Sequence, residues 1–551
     1  MARQRRNAPT LLLGVALFLS GLLLIALCWN YTFFQDAWAT LLYRQGFSAH
    51  DFLMPHNEHL VVFQVAVEKL FIEVFGMTTA RPAMLFMTAT LLTAGALMFV
   101  YVRRRVGPWL ALFAAVSLLF LGSAWPVLLW PFEIEFAAPI AAGLGMLLML
   151  EREDRAGDIW ACVLLIVAIG FGSLGISFAA AALVDLYLKR RTRGWGRAWV
   201  AVVPLVLYVA WYFGWGHEAE RHMTLHNVLM SPAYTFEGFA TAVGSLAGLS
   251  TTPVTSPGQP EWGRPLLIAL IGLAIYGQRR RPGVSPTFWP VAAASLSYWL
   301  LAAFNFIPGR EAASTRYVYA GAAFVLLLAA ELLRGVTFSR RALWISASVT
   351  ILAVLPNLAQ MKDGADWMKE QSILTRADTA ALDISADTVP SSFSLNPEIA
   401  GTASLAIVDA GRYFEAVSDH GSPAYSPGEL EKAPEVGRRW ADVVLSQALP
   451  LSTESEAGKF DRGAIDNCTV LQPGTPAPPE GIELSPGLTR IEVAPGPEAK
   501  FHLRRFAAAE FPVPTTPAPG ESTTLLRIPR DRASQPWWLQ VEAQQLVRVC
   551  R

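Results

Sequence analysis

The chain has 551 residues, of which 53% are hydrophobic and 16% charged. A soluble globular chain carries about a quarter charged residues, so this composition, with a mean hydropathy of +0.37, excludes an ordinary soluble enzyme. Lys plus Arg equals Asp plus Glu at 44 each, so net charge says nothing about partners, and no nucleic-acid partner is expected.

The first apolar run, 10–30, follows MARQRR. It is long for a signal-peptide core and no small-residue cleavage site follows it, so it reads as a retained helix. Further apolar runs cover 82–102, 108–123, 133–150, 158–172, 174–188, 197–215, 264–278, 286–306, 317–334 and 341–358. A span needs roughly 20 apolar residues, and eleven runs predict a polytopic α-helical membrane protein with about eleven transmembrane helices. The segments 158–172 and 174–188 are short and read as a hairpin turning at GFGSLGIS, where glycines allow a sharp reversal. His59–Gly76 carries Glu68, Lys69 and Glu73. Those charges are costly in mid-bilayer, so it reads as an amphipathic helix lying on the outer surface.

Basic clusters fix the predicted orientation. RQRR, RRRVG (103–107), EREDR (151–155), KRRTRGWGR (189–197), QRRRPG (278–283) and RGVTFSRR (334–341) all fall on one side if the chain crosses eleven times. Cytoplasmic loops collect Lys and Arg, which predicts a multi-pass plasma-membrane protein with a cytoplasmic N-terminus and an extracytoplasmic C-terminal domain. The outer side then receives 31–81, 124–132, 216–263 and 307–316 as polar loops, and the segment from 359 onward. Residues 1–358 are expected to form the membrane module, with surface helices in the outer loop 31–81. Residues 359–551 are expected to form an outer α+β or β-sandwich-like domain. There, 363–386 reads as helix, and SLAIVDAG, TRIEVAP, AKFHLRRF, STTLLRIP and WWLQVEAQQLVRVC read as strands. Cys28 and Cys162 lie in apolar segments, which leaves Cys468 and Cys550 as the plausible disulfide pair.

The candidate chemistry crowds into the outer loops. Asp36 follows the first helix, where it serves either as the N-cap of a surface helix or as a functional carboxylate. PHNEH places His56, Glu58 and His59 within five residues. The spacing is not that of a helical zinc motif. Asn57 reads as a cap for the next helix, and Glu58 suits a divalent ion or a sugar hydroxyl. WPFEIEF puts Glu133 and Glu135 at the mouth of the fourth crossing. GREAASTRYVY brings Arg310, Arg316 and Tyr317 to the start of the tenth. Arginine presents a planar fork suited to phosphate oxygens, although snorkelling to lipid headgroups is the bland alternative. HEAERHMTLHN (217–227) reads as a solvated loop or a lid. No Gly-rich phosphate loop follows a strand, and few ionisable residues lie in mid-helix, which argues against a transporter.

On these residues the chain resembles the GT-C superfamily of integral-membrane glycosyltransferases, which use polyprenyl-phosphate or polyprenyl-diphosphate sugar donors. The similarity runs over about 10–358 and looks closest to bacterial protein mannosyltransferase, aminoarabinose transferase and arabinofuranosyltransferase relatives. It rests on Asp36 opening the first outer loop, on PHNEH, on Glu133 and Glu135, and on Arg310 and Arg316 in a later loop. One departure is that Ala37, not a second acid, follows Asp36. The resemblance implies inverting transfer of a sugar from a polyprenyl-phosphate donor to a cell-envelope glycan, lipid or protein, among membrane lipids at the outer face. Asp36 would be general base. Glu133 or Glu135 would orient the acceptor or hold a divalent cation. Arg310 and Arg316 would neutralise the leaving phosphate, with His56, Glu58, His59 and Tyr317 binding substrate. It also implies a carbohydrate-binding role for 359–551. The rival readings are a lipid or glycan transporter or flippase, and a non-catalytic glycan-binding homologue.

Overall fold

The computed structural model describes residues 2–250, 261–280, 283–394, 409–449, 452–457, 467–473, 478, 480–508, 511–515 and 522–550. The chain divides into two compact units. Unit 1 comprises 1–31, 46–71 and 81–368, and unit 2 comprises 32–45, 72–80 and 369–551.

Each expected apolar run is helical. In chain order the helices are α1 (Ala2–Cys28), α2 (Ala37–Tyr43), α3 (Ala49–Leu53), α4 (Val62–Phe75), α5 (Arg81–Val106), α6 (Pro108–Leu119), α7 (Trp125–Leu129), α8 (Ile134–Leu150), α9 (Arg155–Phe171), α10 (Leu174–Arg193), α11 (Trp199–Gly214), α12 (Leu225–Leu246), α13 (Gly263–Arg279), α14 (Phe288–Phe304), α15 (Thr315–Leu332) and α16 (Arg340–Ser385). Among the described residues six helical stretches are long and apolar enough to cross a membrane: 7–28, 81–106, 108–129, 131–150, 315–332 and part of 340–385. Shorter apolar helices cover 199–214 and 288–304.

Small residues allow the helices of unit 1 to pack closely. A Cβ at Gly238 of α12 or Gly321 of α15 would fall 2.3 or 2.7 Å from the ring of Trp299, which is fully buried in α14. Three helices therefore close on one indole. At Gly122 a Cβ would strike the Asn357 carbonyl of α16, and the Asn357 amide bonds the Ser123 N–H at 2.9 Å and the Ser245 carbonyl at 3.0 Å.

One end of the bundle gathers the basic clusters. Arg105 of α5 donates to Glu331 of α15 at 2.5 Å and also pairs with Glu151, which accepts from Arg104 at 2.8 Å. Tyr101 and Thr287 complete the shell of Glu331 at 2.6 and 2.5 Å. Arg334 bonds Thr287 at 2.6 Å. Arg197 bonds Asp158 and reaches the Leu150 carbonyl at 3.3 Å. The segments around 103–107, 151–158, 197, 285–287 and 331–335 thus share one end.

Two segments differ from expectation. The span 216–263, expected as a polar loop, contains the 22-residue helix α12. Its Gly238, Ala240, Ala242 and Gly244 lower the apolar signal while fitting it against α13, α14 and α15. Both ends of α12 are tied to the end opposite the basic clusters. Asn227 Nδ2 donates to the Phe304 and Phe306 carbonyls at 3.1 and 3.0 Å, and the Ser245 carbonyl accepts from Asn357. In α4 the burial pattern is mixed: Val65 is buried along with two polar residues, and Glu73 is exposed. Gln64 and Lys69 are buried, whereas Leu70 is 58% exposed.

Unit 2 is α+β. Five strands order as β1-β7-β4-β9-β2 and four as β3-β8-β5-β6, with β1 (Ser452–Ala457), β2 (Cys468–Leu471), β3 (Ile482–Leu484), β4 (Gly487–Val493), β5 (Lys500–Arg504), β6 (Val513–Pro514), β7 (Ser522–Ile528), β8 (Trp537–Glu542) and β9 (Val547–Cys550). Alternating burial along β7 and β8 puts one face in the core. A disulfide joins Cys468 and Cys550 across the β2–β9 pair. Helices Ala410–His420 and Glu435–Ala448 have no counterpart in the strand reading. Of SLAIVDAG, 404–408 lie outside the described residues, and Ala410 and Gly411 begin a helix, not a strand. Trp38, Leu41, Leu42 and Met77 join the core of this unit, and Met77 N–H donates to the His420 carbonyl at 2.8 Å. Two pieces of the first loop are therefore built into the unit formed by 369–551.

Candidate functional site

The PHNEH segment is a tight turn. His56 and His59 exchange backbone hydrogen bonds at 3.1 and 2.9 Å. Asn57 takes a positive φ of 51°, a conformation that Asn tolerates better than most residues. Asn57 is a turn residue and does not cap α4, which begins at Val62. The turn projects Glu58 and His59 in adjacent positions, and the His56 ring lies edge-on to Phe132 at 5.0 Å.

Arg310 Nη1 donates to Glu58 Oε1 at 2.5 Å, with both side chains largely buried. The Arg310 carbonyl accepts from Tyr234 at 2.8 Å. His59 Nε2 lies 3.5 Å from the same Glu58 oxygen, and His59 Nδ1 lies 2.7 Å from Ser173 Oγ. The tautomer favoured by this field carries its proton on Nε2, facing the carboxylate, and leaves Nδ1 to accept from the Ser173 hydroxyl.

Burial pushes His59 down to about 4 against the pull of Glu58, with His56, Arg310 and Arg316 adding to the depression. The imidazole is therefore neutral at ordinary pH. Burial opposes ionisation of Glu58, but the polar N–H of His59 turned toward it and the charged, hydrogen-bonded Arg310 guanidinium outweigh burial and hold the carboxyl below its usual range. An ionised Glu58 between a neutral histidine and an arginine is the stable arrangement.

Tyr317 lies in the field of Arg316, Arg310, Glu58 and Glu133. Its ring packs edge-on to Phe136 at 6.0 Å, and its carbonyl accepts from Tyr298 at 3.2 Å. Glu133 is buried at the start of α8, and the Gly172 backbone passes close to Glu135. Gln64, buried in α4, donates to the Phe132 carbonyl at 3.1 Å. The segment read as loop or lid is anchored. Glu220 N–H reaches the Asn57 carbonyl at 3.3 Å, and Asn227 Nδ2 donates to the Phe304 and Phe306 carbonyls at 3.1 and 3.0 Å.

Unit 1 thus brings together His56, Glu58, His59, Glu133, Arg310, Arg316 and Tyr317, at the end opposite the basic clusters. Asp36 belongs to unit 2. It stands at the N-cap position of α2, but its side chain makes no capping bond, so the helix-cap reading of this carboxylate does not hold. Ser173 was legible only as part of the GFGSLGIS reversal. That reversal holds it at the N-cap position of α10, within reach of His59. Among the described residues no three His, Cys, Asp or Glu side chains are arranged to hold a metal ion.

The fold defines a polytopic α-helical membrane protein with an α+β unit, and its candidate site is a buried acid–imidazole–guanidinium cluster at one end of the bundle. The chain is similar to the crystal structure of ArnT from Cupriavidus metallidurans in the apo state, at a TM-score of 0.48 and 13% identity, over 77% of this chain and 91% of that one. No family model and no curated protein matches it.

Proposed function

We propose that this protein is a GT-C-type glycosyltransferase that moves a sugar from a polyprenyl-phosphate donor to a cell-envelope acceptor at the outer membrane face. The observation that carries this reading is the Glu58–Arg310 pair, with Arg316 and Tyr317 beside it, at the end of the bundle away from the basic clusters. Loops rich in Lys and Arg favour the cytoplasm, which supports an outer location for this cluster.

Arginine binds phosphate oxygens through paired N–H donors. In the proposed reaction Asp36 takes the proton of an acceptor hydroxyl. The oxygen attacks the anomeric carbon from the face opposite the leaving group and forms the new glycosidic bond. The bond from that carbon to the phosphate oxygen breaks, and the phosphate leaves with the electron pair. Arg310 and Arg316 stabilise its charge, the largest electrostatic demand of the step. Neutral His59, fixed between Glu58 and Ser173, and Glu133 and Glu135 orient the hydroxyls of the reactants.

The test compares lipid-linked sugars and envelope glycans by mass spectrometry in a deletion strain restored with wild type, Asp36→Ala or Arg310→Ala. Loss of one sugar with accumulated donor, rescued by wild type alone, is expected. Unchanged glycans after deletion would point to lipid transport or glycan binding. Full rescue by Asp36→Ala would remove Asp36 as base.

A further inference from the structure

The basic end of unit 1 holds a second constellation, remote from the Glu58–Arg310 cluster. A cleft of about 530 Å³ lies between the α8–α9 and α10–α11 connections, lined among others by Glu153, Asp154, Arg155, Asp158, Arg197 and Trp199. Its carboxylates are already engaged. Asp158 takes Arg197 Nε at 2.8 Å and Nη2 at 2.5 Å. Asp154 accepts from Arg152 at 2.9 Å and from the Gly157 N–H at 2.6 Å. Glu153 lies 3.5 Å from Lys189.

The cations are not all engaged. Arg197 is only 8% exposed, and its Nη1 has no partner among the described residues. A buried guanidinium donor without an acceptor is costly, so an acceptor from outside the chain is needed there. Arg155 lines the same cleft, and Arg191 lies in the preceding basic run. Both are exposed and have no carboxylate partner among the described residues.

A separate observation identifies the source of the acceptor. Trp160 and Trp195, chain neighbours of the lining residues Ile159 and Gly196, and Tyr187 near the end of α10 are more than half exposed, and Val202 and Val206 present an exposed apolar face of α11. Exposed aromatic rings at the ends of membrane helices mark headgroup depth. Basic residues at that depth attract anionic lipid.

We propose that this cleft binds the phosphoester headgroup of an anionic membrane phospholipid. Arg197 Nη1 and the Arg155 guanidinium donate to its non-bridging oxygens. Arg191 adds long-range attraction, Trp199 covers the glycerol, and the acyl chains lie along α11. This site is independent of the transfer reaction.

The experiment is native mass spectrometry of the full-length chain released from nanodiscs holding equal phosphatidylglycerol and phosphatidylcholine. Wild type is compared with Arg155→Gln/Arg191→Gln, which leaves the Arg197–Asp158 pair in place. Wild type should retain phosphatidylglycerol preferentially, and the preference should fall about fivefold for each arginine removed. Equal retention of both lipids by wild type, or an unchanged preference in the variant, would overturn the proposal. Displacement of the retained lipid by inorganic phosphate alone would assign the cleft to a soluble anion and overturn it as well.

Discussion

His59 Nδ1 lies 2.7 Å from Ser173 Oγ although 114 residues separate them. The bond joins the PHNEH turn to the α9–α10 reversal, so a segment that reads as a bare helical turn contributes a side chain to the site. Removing this hydroxyl should free the imidazole to rotate. Ser173→Ala is expected to lower sugar transfer about tenfold, the scale of one buried hydrogen bond. Ser173→Thr should retain most of it. Turnover of a labelled lipid-linked donor in proteoliposomes measures both.

The Glu58–Arg310 pair should be strongly coupled. Removing either partner leaves the other buried and charged, which costs about 3 kcal/mol. The double variant Glu58→Ala/Arg310→Ala should lose less than the sum of the singles. Thermal unfolding in detergent of the four forms gives the coupling. Simple additivity would mean that the two side chains act separately.

Acid should destabilise unit 1 through His59. An ordinary histidine takes its proton near 6.5, and His59 resists it until about 4. Below about 6.5 the unfolded chain binds a proton that the folded chain refuses, so stability falls as pH drops from there to about 4, by on the order of 3 kcal/mol in total. His59→Gln should flatten this limb of a stability-against-pH curve.

The opposite sign is expected in unit 2. Burial raises Asp442 from 3.8 to about 6, against three backbone N–H groups, from Arg505, Ala507 and Phe506, that favour its charge. Its contribution is therefore full below about 3.8 and is lost as pH rises through about 6. Asp442→Ala would strand those three N–H groups, which lie 2.8 to 3.0 Å from the carboxylate. The loss should be about 3 kcal/mol or more. Limited proteolysis of 369–551 in the full-length protein, across this pH range, reads both effects.

The disulfide closes a loop with a sequence separation of 82. Cys468→Ser/Cys550→Ser should cost unit 2 roughly 2–4 kcal/mol. Proteolysis under reducing and non-reducing conditions should separate wild type from the variant only in the latter.

The helices were legible because lipid imposes a coarse rule. Twenty apolar residues without charge have no other stable fate, and each apolar run from 10–30 to 341–358 proved helical. Helix α12 escaped because Gly238, Ala240, Ala242 and Gly244 are chosen for fit against neighbours such as Trp299, not for transfer into lipid. The strands of unit 2 were readable where β7 and β8 alternate. Helices Ala410–His420 and Glu435–Ala448 were missed although each is strongly amphipathic, because their apolar residues recur at the helical period and not in the alternation that marks a strand.

By itself the sequence determined the membrane class, the helical runs, the basic clusters and the residue types of the site, because hydrophobic length and charge act locally along the chain. It also held Glu58, His59, Arg310, Arg316 and Tyr317 in view as candidates. Only the tertiary structure decided that Arg310 pairs with Glu58, that Ser173 meets His59, and that Asp36 is built into the unit containing 369–551. Those outcomes depend on which helix ends and loops the packing brings together, and close packing is a property of side-chain shapes in contact that no single segment carries.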